Sequence, residues 1–252
     1  MKTIGFSILA VVLSFTQCAR SANLFEKLGL GKTSTNSPAT LTAALSSDEI
    51  AGGLKQALAK GVERAVATLS ESNGFLKDAS VKIPMPETLQ KVERTLRTLR
   101  QDKLADEFVT TLNRAAEQAV PEAAAVLGSA VQQMTLADAK AILTSTNKAA
   151  TAYFRRTSDT NLHERFLPIV RKATEQTGVT RAYKAMVEKA SFGGFSAGSL
   201  VGQEALDLDG YVTRKALDGL FLKIGLEEQR IRENPMARTT DLLQKVFGAV
   251  KK

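Results

Sequence analysis

The chain is 252 residues long, 44% hydrophobic and 24% charged, with a formal net charge of +8. One cysteine and one histidine exclude a disulfide framework and argue against a zinc site, and no cofactor motif is present. With no tryptophan and three tyrosines there is little to stack on bases, so nucleic acid is not an expected partner.

Lys2 precedes an unbroken apolar or small run from Ile4 to Phe15, and small residues stand at Ala19 and Ser21. A basic start, an apolar core of about a dozen residues and a small-residue exit describe a secretory signal peptide over residues 1–21. The run is shorter than the roughly 20 apolar residues of a membrane span. Cleavage between Ser21 and Ala22 discards Cys18, the only cysteine. Alternatively Cys18 is acylated as the first residue of a lipoprotein. Phe15 and Gln17 fit that signal poorly, and soluble export is favoured. Lys2 and Arg20 leave with the leader, so the charge falls to +6. About 230 residues remain, enough for one domain.

Residues 22–46 read as a flexible polar tether around Thr33-Ser34-Thr35-Asn36-Ser37-Pro38, with a short amphipathic piece from Asn23 to Leu30. Ser46 and Glu49 have capping-box spacing. Ile50, Leu54, Leu58, Val62, Ala65, Val66 and Leu69 then give one apolar helix face, which Asn73-Gly74 is expected to end. Val81 to Pro86 is extended, because each proline pushes its predecessor out of the helical region. A second helix carries Leu89, Val92, Leu96 and Leu99 as its buried stripe. Asp102 is expected to cap a third, with Leu104, Phe108, Leu112 and Ala115 inward. Pro121 opens a fourth helix to about Gln133, and Thr135 with Asp138 starts the next, from Leu136 to Leu143.

A short helix from Lys148 to Arg156 follows. Ser158 or Asp159 is expected to cap another, kinked at Pro168 and closed by Gly178, and Val179 to Ala190 continues the helical pattern. Residues 191–205 form an irregular Gly/Ser-rich loop, long for a compact domain, in which Phe192 and Phe195 are expected to pack down. Leu208, Tyr211, Val212, Ala216, Leu220, Ile224 and Ile231 lie on one face of a helix from Asp207 to Glu233. Asn234-Pro235 breaks it, and Thr239 or Thr240 caps a final helix. No segment alternates like a strand. The fold class is all-α, a single multi-helix domain over residues 47–250 with roughly eight to ten short helices.

Several separated stretches carry a resemblance. They are Gly53-Leu54-Lys55-Gln56-Ala57-Leu58, Ile83-Pro84-Met85-Pro86-Glu87, and Met134-Thr135 with Asp138-Ala139 and Ile142-Leu143. Further along come Ala149-Ala150-Thr151, Tyr153-Phe154-Arg155-Arg156, Phe166 with Pro168-Ile169-Val170, and Ala216 to Phe221 leading to Glu227-Glu228, Ile231-Arg232 and Asn234-Pro235. Together they resemble an uncharacterised family of exported bacterial proteins known only as a domain of unknown function, DUF4197, over about residues 48 to 248. The resemblance implies an all-α exported protein, usually in the envelope or periplasm of a Gram-negative bacterium. It implies no reaction and no catalytic residue.

No catalytic constellation emerges from the residues themselves. His163 lies between Leu162 and Glu164 on a charged helical segment, with no serine in a G-x-S-x-G context. Gly29-Leu30-Gly31-Lys32-Thr33 lacks the first glycine of a phosphate loop, since Glu26 stands there. Glu228 and Arg232 have ion-pair spacing, and with Arg238 they are expected to lock the last two helices together. The functional alternative joins Arg155, Arg156, Glu228, Arg232 and Arg238 in one pocket for an anionic small molecule or lipid. Lys91, Arg94, Arg97 and Arg100 recur as a basic stripe that an anionic membrane surface could meet, but an ordinary solvated face is the favoured reading, since Glu87 and Glu93 dilute it. The favoured reading is a non-enzymatic helical module that binds a protein or a small or lipidic ligand.

Overall fold

The structure, a computed structural model, describes residues 46–145, 148–178, 180–184 and 207–233. The expected leader, the tether up to residue 45, the loop at 191–205 and the segment from Asn234 onward lie outside the described residues. Among the described residues every regular element is helical and there is no strand, as the all-α class requires. The elements are α1 (Ser47–Ser70), α2 (Gln90–Thr98), α3 (Asp102–Ala119), α4 (Glu122–Gln133), α5 (Leu136–Thr144), α6 (Ala149–Gln176) and α7 (Leu208–Glu233). A 3-10 turn at Glu87–Leu89 leads into α2, and residues 180–184 are helical.

α1 starts on the capping box. The Ser46 hydroxyl accepts from the Glu49 amide at 3.2 Å, and the Glu49 carboxylate accepts from the Ser46 amide at 2.8 Å. Thr135 and Asp138 do the same for α5. α1 ends at Ser70, ahead of Asn73, which adopts the left-handed conformation at φ 73°. At Gly74 a Cβ would lie 2.5 Å from the Thr68 carbonyl oxygen, so the turn needs glycine there.

The core lies among three long helices, α1, α6 and α7, with α3 and α4 packed against them. Leu54 and Leu69 from α1, Leu112 from α3, Leu127 from α4, Phe154, Leu162 and Phe166 from α6, and Leu220 and Phe221 from α7 are fully buried. Each such side chain contributes about 1.5–3 kcal/mol by leaving water. All seven expected apolar positions of α7 are buried.

Several expectations need correction. The chain from Ala149 to Gln176 is one helix of 28 residues, not two short ones. Ser158 does not cap; its side chain is buried, and its hydroxyl lies 3.3 Å from that of Thr157, which itself bonds back to the Tyr153 carbonyl. Pro168 sits on the solvent side with Glu164, whose carbonyl it cannot serve, so water can take that bond. In α2 only Leu89 of the expected stripe is buried; Val92 is 52% exposed and Leu99 64% exposed, because this nine-residue helix packs mainly on α3. Leu104 is likewise exposed, and Asp102 is the first residue of α3 rather than its cap, with Gln101 in the cap position and no side-chain hydrogen bond.

The connection between α1 and α2 buries Phe75, Val81, Ile83 and Met85, and the backbone groups buried with them need partners. α3 supplies them through two polar side chains one turn apart. The Asn113 side-chain oxygen accepts from the Ile83 amide at 2.8 Å, and its NH2 donates to the Ile83 carbonyl at 2.8 Å. The Glu117 carboxylate accepts from the amides of Phe75 and Leu76 and from Arg114. From α7 the Tyr211 hydroxyl donates to the Pro84 carbonyl and Lys223 pairs with Asp78.

Candidate functional site

Glu228 and Arg232 stand one turn apart on the buried face of α7, opposite the junction of α5 and α6. The Glu228 carboxylate accepts from the amides of Ala150 and Thr151 at 3.1 and 3.0 Å, from the Thr151 hydroxyl at 2.9 Å, and from Arg232 at 3.0 Å. Those amides belong to the first turn of α6, where no intrahelical partner exists. Arg232 donates in turn to the carbonyl of Ile142 at 2.8 Å and that of Ser145 at 3.4 Å, at the end of α5. One ion pair therefore closes the start of one helix and the end of another. It locks α7 to the α5–α6 junction; the expected lock onto a following helix falls outside the described residues. Arg238, the third member of the expected cluster, lies outside the described residues.

The two adjacent arginines of α6 diverge. Arg155 pairs with Asp218 of α7 at 3.2 Å and lies 4.6 Å over the Phe221 ring. Arg156 pairs with Asp138 at 3.6 Å, faces the Tyr153 ring, and lines a separate cavity of about 310 Å³ between α4, α5 and α6. A hydrogen bond from Thr135 holds the Asp138 carboxyl below its ordinary pKa, consistent with its place in the α5 cap. Of the five residues expected to share one pocket, the structure brings Glu228 and Arg232 together and sends Arg155 and Arg156 to different cavities.

α6 and α7 run antiparallel, pairing Thr151 with Glu228, Arg155 with Asp218 and Thr174 with Asp209. Between them lies an open groove of about 470 Å³. Its apolar lining is Ala152, Phe221, Leu222, Gly225 and Leu226, and its polar margin is Lys148, Thr151, Arg155, Asp218 and Gln229. Leu222 and Leu226, one turn apart, are 40% and 47% exposed. Its volume falls within the range of small-molecule sites in general, and its lining is mainly apolar with polar groups at the edge.

A family model described as a protein of unknown function (DUF4197) matches residues 44–248. The chain belongs to the DUF4197 family. No curated protein and no solved structure matches it. The matched span of this DUF4197 chain takes in all seven described α-helices, so the α6–α7 groove and the Glu228–Arg232 lock both lie within the family domain.

The basic stripe of this DUF4197 chain is partly neutralised. Arg97 contacts three carboxylates, Glu93 at 2.8 Å, Asp106 at 2.9 Å and Asp102 at 3.5 Å, and the hydrogen bonds it donates to the first two raise its pKa further. Arg94 turns back to the Gln90 carbonyl, and Arg100 is exposed with φ 58°. The Lys91 side chain lies outside the described structure. A cavity of about 490 Å³ beside Arg97 is lined by Lys82, Pro84, Met85, Glu93 and Asp106 among others, and its two carboxylates are already paired with Arg97. His163 is half-buried. Among the described residues no group of three His, Cys, Asp or Glu side chains could hold a metal ion, and no helix is long and apolar enough to cross a membrane.

Sequence reasoning missed several polar groups. Asn113 and Glu117 interrupt the apolar face of α3, which is the signal that could have found them. At the other end of α6, Asp209 accepts from Thr174 at 2.7 Å and from Lys184 at 2.8 Å. Tyr183 stands nearby, edge-on to Phe108, with its pKa pushed up to about 12 by burial. Lys148, Leu222, Gly225 and Leu226 were also missed as members of a groove, since their spacing reads as an ordinary helix face.

Proposed function

We propose that this DUF4197 chain is an exported helical module of the bacterial cell envelope that works by binding, with the α6–α7 groove as its binding surface. The groove carries the reading. It leaves two leucines one turn apart exposed beside a buried phenylalanine, while the acidic and basic groups best placed for chemistry are tied to helix ends or to one another. A carboxylate that already accepts two backbone amides, a hydroxyl and a guanidinium has no free lone pair aimed at a substrate. Export rests on the leader pattern from Lys2 to Ser21, and the periplasmic setting on the family resemblance.

Intact-mass analysis of the protein from its native envelope tests the first part. The expected mass begins at Ala22. A chain starting at an acylated Cys18 makes it a lipoprotein of the same compartment, and a full-length chain recovered from the cytoplasm overturns export. Native mass spectrometry tests the second part. A non-covalent adduct present in the wild type and lost from Gly225→Leu is expected. Identical spectra for the two proteins would remove the groove from the reading.

A further inference from the structure

The groove has a polarity that names a ligand class. We propose that it holds a single-chain anionic amphiphile, with the carboxylate or phosphate headgroup at Lys148 and the acyl chain along Ala152, Gly225, Leu222 and Leu226. This rests on the preceding reading that the groove is the binding surface. The antiparallel helices place Lys148 and Gln229 at one end and Arg155 with Asp218 at the other. At the far end the charges cancel: Arg155 and Asp218 form an ion pair, and the guanidinium lies over Phe221. At the near end the Lys148 ammonium has no ion pair among the described residues. The first amides of α6 are already bonded to Glu228, whose charge Arg232 balances, so the lysine is the anchor for an anion there. From residue 218 to 229 α7 advances about 16 Å, room for one chain laid along the helix axis.

Gly225 is an independent sign that the floor is kept open. It is buried in the middle of α7, where glycine is a poor helix former. Packing does not demand it: a Cβ would meet only Thr151, at 3.5 and 3.9 Å, which is ordinary contact. Gly219 in the same helix is different, because a Cβ there would lie 2.8 Å from the Phe75 ring. At position 225 a methyl would instead fit against Thr151, a fellow lining residue, and would narrow the groove floor between α6 and α7.

The test titrates purified, delipidated protein with octanoate, decanoate and dodecanoate below their micellar concentrations, using isothermal calorimetry. Affinity is expected to rise about fourfold per methylene until the groove is full. Dodecanol is expected to bind at least ~10-fold more weakly than dodecanoate, and dodecyltrimethylammonium more weakly still. Lys148→Glu should weaken dodecanoate by at least ~10-fold and leave dodecanol unchanged. Gly225→Leu should abolish binding of both. If Gly225→Leu does not fold, Gly225→Ala serves, since its methyl fits the packing and should weaken binding while keeping or raising the unfolding temperature. Equal affinities for dodecanoate and dodecanol, or an unaffected Lys148→Glu protein, overturn the anionic headgroup. Binding that survives both Gly225 substitutions overturns the placement. Phosphatidylglycerol vesicles that sediment the protein regardless of Gly225→Leu, in the absence of dodecanoate binding, replace the free amphiphile with a membrane surface. If dodecanoate fails while a native adduct is still lost from Gly225→Leu, the ligand class falls and the groove reading stands; if both fail, both fall.

Discussion

Replacing Glu228 with alanine tests whether the buried ion pair is an architectural lock. The carboxylate is the shared acceptor for the Ala150 and Thr151 amides, the Thr151 hydroxyl and the Arg232 guanidinium. Its removal takes the acceptor from two buried or half-buried amides and the paired carboxylate from a guanidinium that is only 12% exposed. Breaking a buried pair on one side costs about 3–5 kcal/mol. Arg232 keeps the Ile142 and Ser145 carbonyls, so the lower part of that range, ~3–4 kcal/mol, is expected. For a domain of this size each kcal/mol lowers the melting temperature by about 2–4 °C, giving a fall of roughly 6–16 °C. Glu228→Gln keeps one acceptor oxygen and should cost about half as much. Urea unfolding of both, with a double-mutant cycle against Arg232→Met, measures the coupling, expected at ~1–3 kcal/mol. Hydrogen exchange should speed up first at the Ala150 and Thr151 amides. A loss below ~1 kcal/mol for Glu228→Ala, or a coupling near zero, refutes the lock and returns Glu228 to the list of candidate ligand-binding groups.

Asn113→Leu strips both partners from the Ile83 backbone inside the core and should cost ~2–4 kcal/mol, with exchange at the Ile83 amide accelerated; an unchanged urea midpoint would contradict this. Asp78 provides a pH prediction. Hydrogen bonds from Lys223 and then Ser80 lower its pKa from 3.8 to about 2, so the stability it contributes is complete above pH 3.8 and disappears as pH falls toward 2. Because the carboxylate is a third exposed, solvent screening reduces that contribution to about 1 kcal/mol, and an Asp78→Asn protein should show a correspondingly shallower stability loss between pH 4 and 2. Thr213 has the one buried side-chain polar atom without a hydrogen-bond partner among the described residues. Thr213→Val should therefore stabilise by about 1 kcal/mol, and a loss of that size instead would mean that the hydroxyl is satisfied.

Much of the fold was legible because local rules and tertiary packing agree. Ser46 with Glu49 and Thr135 with Asp138 start helices through contacts three residues apart, which sequence spacing states directly. The α7 stripe was readable because that helix is flanked by α1, α3 and α6 and buries a full face. The same logic failed in α2, whose apolar spacing is as regular but which packs mainly on α3, leaving Val92 and Leu99 exposed. It failed again at Ser158. A serine with cap-like neighbours can satisfy its hydroxyl inside a helix, and only the packing of Tyr153, Phe154, Leu162 and Phe166 on one continuous face shows that α6 does not break.

The site was harder to read for a reason rooted in its charges. Glu228 and Arg232 were visible as an (i, i+4) pair, yet their partners lie 77 to 90 residues away and are backbone groups, which carry no sequence signature. A pair that closes helix ends and a pair that binds a ligand look identical in one dimension. Arg155 and Arg156 were misleading in the opposite sense. Adjacent residues on a helix point about 100° apart, so neighbours in sequence were bound to line different cavities. The groove itself is written in residues that a periodicity argument assigns to packing, two leucines one turn apart with a glycine between them. What distinguishes them is an absence of neighbours: no element among the described residues covers Leu222 and Leu226, and nothing at Gly225 requires the missing methyl. In this chain polar clusters mark architecture and an uncovered apolar strip marks the candidate site, the reverse of the usual assignment.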